Sequence, residues 1–194
     1  MVKVAILHEG NSKKTNDNKL IKLLLDNLKL NEEEVRFFGL GTKSNFFKKN
    51  SREYKELLEQ IEEDNINKIL FVVDADYEEN DKIYGGYDNT VKEINVIRNK
   101  LSLTDISDIY ITCDPQTKNG YLESLILSSI PKKEKECIEI FLDCSKFESK
   151  ENHKAILNQI YKTAYPKAPF DFSHKNFDEL KTKLKNLFKW SDNE

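Results

Sequence analysis

The stretch that decides the fold is ILFVVDAD at residues 69–76, an apolar run that ends in two aspartates. A second apolar run, VAILHEG at residues 4–10, ends in Glu9. Continuous apolar runs are typical of strands buried on both faces of a parallel sheet. Open α/β sheets place their sites at the carboxyl ends of such strands. We therefore expect Glu9, Asp74 and Asp76 to meet at one edge of a sheet, where three carboxylates indicate a divalent metal.

Strand and helix patterns alternate along the first part of the chain. Strands are predicted near residues 2–8, 34–38, 68–74 and 108–112. The segments between them carry apolar residues at helical spacing, and the predicted helix starts are residues 15–17, Ser51 and a capping box at residues 90–93. From Gly120 onward the pattern is mostly helical.

This order of elements predicts a single α/β domain over residues 1–194. We expect a Rossmann-like, mainly parallel central sheet flanked by helices, because strands that alternate with helices form such sheets. The core of the domain should span about residues 1–130, and a helical C-terminal part should span about residues 131–190.

Composition limits the classes of protein to consider. The chain has 194 residues, of which 38% are hydrophobic and 34% charged, and no apolar run is long enough to span a membrane. The net charge of -3 does not itself indicate a nucleic-acid partner, although whole-chain charge averages over faces that differ. The N-terminus lacks a signal-peptide pattern, and the three cysteines lack metal-type spacing. We expect a soluble, cytoplasmic protein with no membrane partner, whereas the sequence indicates no oligomeric state.

Three short motifs carry a resemblance to a known family. His8-Glu9-Gly10, Asp74-Ala75-Asp76 and Gly120-Tyr121-Leu122-Glu123 resemble the Glu-Gly, Asp-x-Asp and late Gly-x-Leu-Glu elements of the Toprim domain. The likeness is to a group of small stand-alone Toprim-related proteins, the DUF3226-like proteins, and it covers the first two thirds of the chain. Toprim domains occur in topoisomerases, bacterial primases and several nucleases. The resemblance implies a Toprim fold and phosphodiester chemistry assisted by Mg²⁺ or Mn²⁺.

The resemblance also implies roles for individual residues. Glu9 would act as a general acid or base, or share in holding the metal. Asp74 and Asp76 would be the metal-binding pair. Glu123 could reach the same site as an additional acidic group. The loop after Gly10 is longer than the family pattern, and His8 stands where an apolar residue is common.

The chemistry of the acidic residues supports the same site without the family name. Magnesium is commonly held by one or two carboxylates together with water and substrate phosphate. In a strand, residues i and i+2 face the same side, so Asp74 and Asp76 should point together if extended geometry persists to Asp76. Taken alone, the Asp-Ala-Asp motif is more typical of a turn. Lys13 and Lys14, beside Glu9 in the sequence, are candidate phosphate contacts, or else plain solvated loop residues.

Three classes of function follow from these residues. The chain is interpreted first as a metal-dependent nuclease acting on DNA or RNA, or a related phosphoryl-transfer enzyme. The alternative is a catalytically silent module that binds nucleic acid or nucleotide. A receiver-like phospho-acceptor is a third and weaker interpretation, because the first strand ends without the paired acids of that class. Tyr77, Tyr84 and Tyr87 could stack on bases, although packing on a neighbouring helix is commoner.

Overall fold

The computed structural model describes residues 3–10, 15–145, 150–165 and 170–189. The strands are β1 (Val4–His8), β2 (Val35–Gly39), β3 (Lys68–Asp74) and β4 (Ser107–Thr112). The helices are α1 (Asn16–Asn27), α2 (Lys43–Phe46), α3 (Arg52–Glu62), α4 (Tyr87–Lys100), α5 (Leu122–Leu127), α6 (Lys132–Cys144), α7 (Lys150–Ala164) and α8 (Asp178–Leu187). The predicted strand positions are confirmed to within two residues at each end.

The four strands form one parallel sheet in the order β2-β1-β3-β4. From β1 the chain moves outward to β2 on one side and then returns to place β3 on the other side of β1. The gap between the carboxyl ends of β1 and β3 is therefore the switch point of the sheet, where ligands bind in open α/β folds. The α/β architecture with a parallel central sheet is confirmed, and it is consistent with a Rossmann-like fold.

Both faces of the sheet are buried. Successive strand residues point to opposite sides, and each side packs against a hydrophobic core. Val4, Ile6, Leu70 and Val72 face a core that also contains apolar residues of α1, α5, α6, α7 and α8. The intervening strand residues, such as Leu7 and Phe71, face a second core packed by α3 and α4. The helices from α5 to α8 thus share a core with β1 and β3.

Side-chain caps fix where two of the helices begin. Thr15 Oγ1 accepts the amide N–H of Asn18 at 3.3 Å and Ser51 Oγ accepts that of Tyr54 at 3.3 Å, as their sequence patterns predict. The capping box predicted at residues 90–93 is wrong, since α4 begins three residues earlier at Tyr87. Gly86 precedes α4 with φ +86° and donates its N–H to Ala75 O at 2.9 Å, so a contact to the residue that follows β3 sets the start of α4.

The described helices also bear on the membrane prediction. None of the helices in residues 3–10, 15–145, 150–165 and 170–189 combines the length and apolar character that a bilayer crossing requires.

Candidate functional site

Glu9 and Asp74 lie side by side at the switch point. His8 pairs with Val72 in the β1–β3 register, so the residue after His8 lies level with the end of β3. Glu9 Oε1 accepts the backbone N–H of Asp74 at 3.0 Å. This hydrogen bond ties the two acidic strand ends together across the sheet.

The side chain of His8 contacts the backbone carbonyl of Glu9. It is fully buried, and burial lowers the pKa of its imidazole, which favours the neutral form. His8 Nδ1 lies 2.7 Å from Glu9 O, and Nε2 lies 3.5 Å from the side-chain nitrogen of Asn18. A neutral ring that donates from Nδ1 and accepts at Nε2 satisfies both contacts.

Lys43 brings a buried ammonium group to the carboxylates. Gly10 and Gly41 exchange two backbone hydrogen bonds, of 2.8 Å and 3.0 Å, which hold the loop after β2 against the end of β1. Lys43 begins α2 just after this contact, and its Nζ donates to Ala75 O at 2.6 Å and lies 3.5 Å from Asp76 Oδ2. Burial lowers the pKa of Lys43, and attraction to Asp76, Glu9 and Asp74 opposes that shift.

Asp76 does not continue the strand, so the condition under which strand alternation would point Asp74 and Asp76 together is not met. β3 ends at Asp74, and Asp76 has φ +58° in the left-handed region. Asp76 is held there by Gly120, to which it donates its N–H at 2.6 Å and from which it accepts an N–H at 3.0 Å. The position of Asp76 is therefore fixed by the loop before α5. The alternation of side chains along β3 does not determine it.

Glu123 lies close to the site but is engaged by amides. It is buried in the first turn of α5, and its Oε1 accepts from Asn158 Nδ2 at 2.7 Å and from Asn16 Nδ2 at 3.5 Å. The pKa of Tyr121 is raised first by burial and then by several neighbours, among which are Glu123, Asp74 and Asp76. Glu123 therefore joins α1, α5 and α7 through its two amide partners, Asn16 and Asn158.

The carboxyl group of Glu9 is poorly stabilised as an anion. Its pKa is raised to about 7, first by burial and then by the charge of Asp76, with a smaller contribution from Asp17. The hydrogen bond from Asp74 N–H and the charge of Lys43 oppose this shift. The acidic cluster thus retains excess negative charge in the presence of Lys43.

We expect the raised pKa of Glu9 to make the metal-free protein less stable as pH rises. Folded Glu9 holds its proton to about pH 7 whereas the ordinary value is 4.5, so the native state binds more protons in that interval and stability is lost through it. Between about pH 5 and about pH 8, the free energy of unfolding should fall by about 2 kcal/mol more for the wild type than for Glu9→Gln. Urea unfolding of both proteins in EDTA measures this difference, and parallel pH profiles would contradict it.

Gly120 allows the contact that holds Asp76, and its substitution should be costly. Its φ is +94°, and a Cβ at this position would lie 2.1 Å from Ser124 Oγ and 2.7 Å from Ser124 Cβ. We expect Gly120→Ala to lower the free energy of unfolding by about 2 to 4 kcal/mol, from backbone strain and displacement of the α5 start.

Gly41→Ala is the matched control for this substitution. Gly41 has φ +81°, but a Cβ there meets its nearest atom, Asn45 Nδ2, at 3.4 Å. It should therefore show the cost of the backbone conformation alone, about 1 kcal/mol. Equal losses for the two variants in urea unfolding would contradict the steric role of Gly120.

The residues fit a loosely held divalent ion. No group of three or more His, Cys, Asp or Glu side chains in the described ranges is arranged to hold a metal. Asp74 and Asp76, the residues before and after Ala75, offer two carboxylates. One or two carboxylates suffice for Mg²⁺ when water and phosphate complete its coordination shell. A divalent cation would also offset the negative charge of Asp76, which after burial is the second cause of the raised pKa of Glu9.

The other sequence candidates have different outcomes. Lys13 and Lys14 lie outside the described residues. Each of the three tyrosines proposed to stack on bases packs on a neighbour. The ring of Tyr84 stacks on Phe47 at 4.5 Å and that of Tyr77 meets Tyr121 edge-on. The ring of Tyr87, the first residue of α4, lies under Lys118.

Lys43, Asn16 and Asn158 are site residues that the sequence prediction missed. β2 ends at Gly39, so the turn that leads to Lys43 lies at the same edge of the sheet as Glu9, but the contact of Lys43 with Asp76 depends on packing between distant segments and has no sequence signal. No sequence signal pairs Asn158 with Glu123, since 35 residues separate them and α7 follows no strand.

Comparisons with known proteins identified no relative of this chain. No family model matches it, and no curated protein or solved structure matches it either. The Toprim resemblance therefore stays a prediction that rests on the three motifs.

Proposed function

We propose that this protein is a Toprim-type enzyme that uses Mg²⁺ or Mn²⁺ to cleave phosphodiester bonds in DNA or RNA. The observation that supports the proposal best is the meeting of Glu9 and Asp74 at the switch point of a parallel sheet, with Asp76 and Lys43 beside them. The three acidic residues of this site, Glu9, Asp74 and Asp76, are those of the Glu-Gly and Asp-x-Asp motifs.

Each residue has a role that its surroundings suit. Asp74 and Asp76 would hold the metal, which when bound stabilises negative charge on the phosphate undergoing transfer. Glu9 would accept the proton of the attacking water or hydroxyl, because its half-buried carboxylate lies at the end of β3 and is oriented by Asp74 N–H. Lys43 would fix Asp76 and the Ala75 carbonyl, and Glu123 would brace α5 through Asn16 and Asn158.

A panel of labelled substrates tests this proposal. Single-stranded DNA, duplex DNA and structured RNA are incubated with the purified protein and Mg²⁺, Mn²⁺ or EDTA. We expect cleavage of at least one substrate with metal and none in EDTA. An identically purified Asp76→Asn protein should lose this activity, because one of two metal-binding carboxylates becomes a neutral amide. Asp105→Asn, an exposed substitution next to the opposite end of β4, should keep it.

The alternative function is binding without turnover. The contact between Lys43 and Asp76 favours it, because a buried ammonium at 3.5 Å already offsets part of the charge that a metal would neutralise. Saturable binding of a nucleic acid or nucleotide by the wild type, without cleavage under any metal condition, would replace the enzyme proposal with this one.

A further inference from the structure

A cavity of about 300 Å³ lies against α5 and α6, and residues that adjoin Asp76 and Gly120 in the chain form part of its wall. Its wall includes Tyr77, which follows Asp76, and Asn119 and Tyr121, which flank Gly120. Asp76 and Gly120 are joined by two backbone hydrogen bonds. The two loops that contribute to the cavity wall are therefore held together at the second aspartate of the site. A ligand in the cavity would lie next to the proposed metal site.

We propose that this cavity binds a nucleobase with its sugar and so selects the nucleotide whose phosphate lies at the acidic cluster. The cavity volume is at the lower end of the range of small-molecule sites, about 300 to 1,000 Å³, which suits a single nucleoside. The placement of the phosphate rests on the proposed function, whereas the base-binding cavity stands on its own lining.

The lining has the mixture of surfaces that a base requires. The rings of Tyr77 and Tyr121 meet edge-on, with centroids 6.0 Å apart and planes at 76°, so they present two differently oriented aromatic surfaces. Leucines from α5, α6 and α7 supply the apolar part of the wall: Leu127, Leu142 and Leu157. Aromatic and apolar surfaces bind the faces of bases, because every base has a π-face.

Polar groups at the same wall can meet the edge of the base. The Asn119 amide offers both a donor and an acceptor. Asp114 is buried, where its Oδ1 accepts the N–H of Gln116 at 2.9 Å and its Oδ2 pairs with Lys135. Carboxylate oxygens have room for further donors such as the amines of bases.

The charges in the cavity oppose a phosphate there. Lys135 is already paired with Asp114, and its Nζ lies 4.0 Å from Glu139 Oε1, so two carboxylates face one ammonium. A dianionic phosphate would meet excess negative charge, whereas a neutral base would not. The cavity therefore suits the base end of a nucleotide rather than its phosphate end.

Calorimetric titrations of the full chain test the inference. The probes are the 5′-monophosphates of adenosine, guanosine, cytidine and uridine, a single-stranded hexanucleotide, and ribose 5-phosphate, each with Mg²⁺ and in EDTA. We expect Tyr77→Ala to weaken binding of monophosphate or hexanucleotide by about 5- to 100-fold, the effect of losing one stacking ring. Binding of ribose 5-phosphate should not change.

Tyr84→Ala is the matched control, because Tyr84 lies in the same loop but stacks on Phe47 outside the cavity. It should leave all affinities unchanged. Asn119→Ala, which removes an edge contact without removing a ring, provides a second variant if Tyr77→Ala does not fold, and it should weaken base binding by about 2- to 10-fold.

The outcomes separate this inference from the proposed function. Loss of affinity for monophosphates in Tyr77→Ala supports a free nucleotide as the ligand, and loss for the hexanucleotide alone supports a base within a strand. Base binding without cleavage of any nucleic acid would support the cavity and overturn the nuclease proposal. Cleavage by the wild type with unaltered affinities in both Tyr77→Ala and Asn119→Ala would overturn the cavity and leave the nuclease proposal standing.

Discussion

Glu9→Gln is expected to lower turnover of the cleaved substrate by about 10²- to 10⁴-fold, the usual contribution of a positioned proton-transfer group. The substitution keeps an oxygen that can accept the Asp74 N–H, so the tie between the two strand ends survives. Substrate affinity should change little, because proton transfer contributes mainly in the transition state whereas phosphate and base contacts also form in the ground state. Single-turnover kinetics together with equilibrium binding measure the two effects separately.

Glu59→Gln is the control for this substitution. Glu59 lies on the exposed side of α3, and the same change of carboxylate to amide there should leave turnover unchanged. Full turnover by Glu9→Gln would contradict the proton-transfer role, and loss of binding and turnover together would assign Glu9 to metal or substrate binding instead.

Asp74→Asn is expected to abolish binding of Mg²⁺ or Mn²⁺ and, with it, metal-dependent cleavage. Asp74 is only 7% exposed, and asparagine has nearly the same shape, so the substitution removes charge without opening a cavity. The backbone N–H that Glu9 accepts is unchanged by it. The fold should therefore persist, and relief of repulsion among the carboxylates favours the metal-free protein.

Titration with Mn²⁺ followed by electron paramagnetic resonance measures the metal affinity, and thermal unfolding in EDTA measures the stability. Asp105→Asn again serves as the control and should match the wild type in both measurements. Metal affinity equal to that of the wild type in Asp74→Asn would remove Asp74 from the ligand set.

The sequence predicted the parallel sheet and the meeting of Glu9 with Asp74 for a local physical reason. Each residue ends an apolar run long enough to be a buried strand, and the carboxyl ends of parallel strands lie at one edge. These runs are short and rich in β-branched residues, which favours a buried strand over a buried helix, and the strand positions were correct to within two residues at each end. The caps at Thr15 and Ser51 were predictable on the same local grounds, since a side chain satisfies a backbone group three residues away.

Features that depend on contacts between distant segments were not predictable from the sequence. Asp76 follows a strand pattern locally, yet the loop at Gly120 binds it in a left-handed conformation. Lys43 enters the site only because Gly10 and Gly41 join two loops, and α4 starts at Tyr87 because Gly86 bonds to Ala75.

The sequence by itself thus determined which strands end in a carboxylate, because each of these strands is a continuous apolar run that an acidic residue follows or ends. The tertiary structure alone decided how the second aspartate points, which lysine is its partner, and that Glu123 is held by Asn16 and Asn158. The physical reason is that hydrogen bonds and charge pairs across 33 to 107 residues form only once the sheet and its helices have packed.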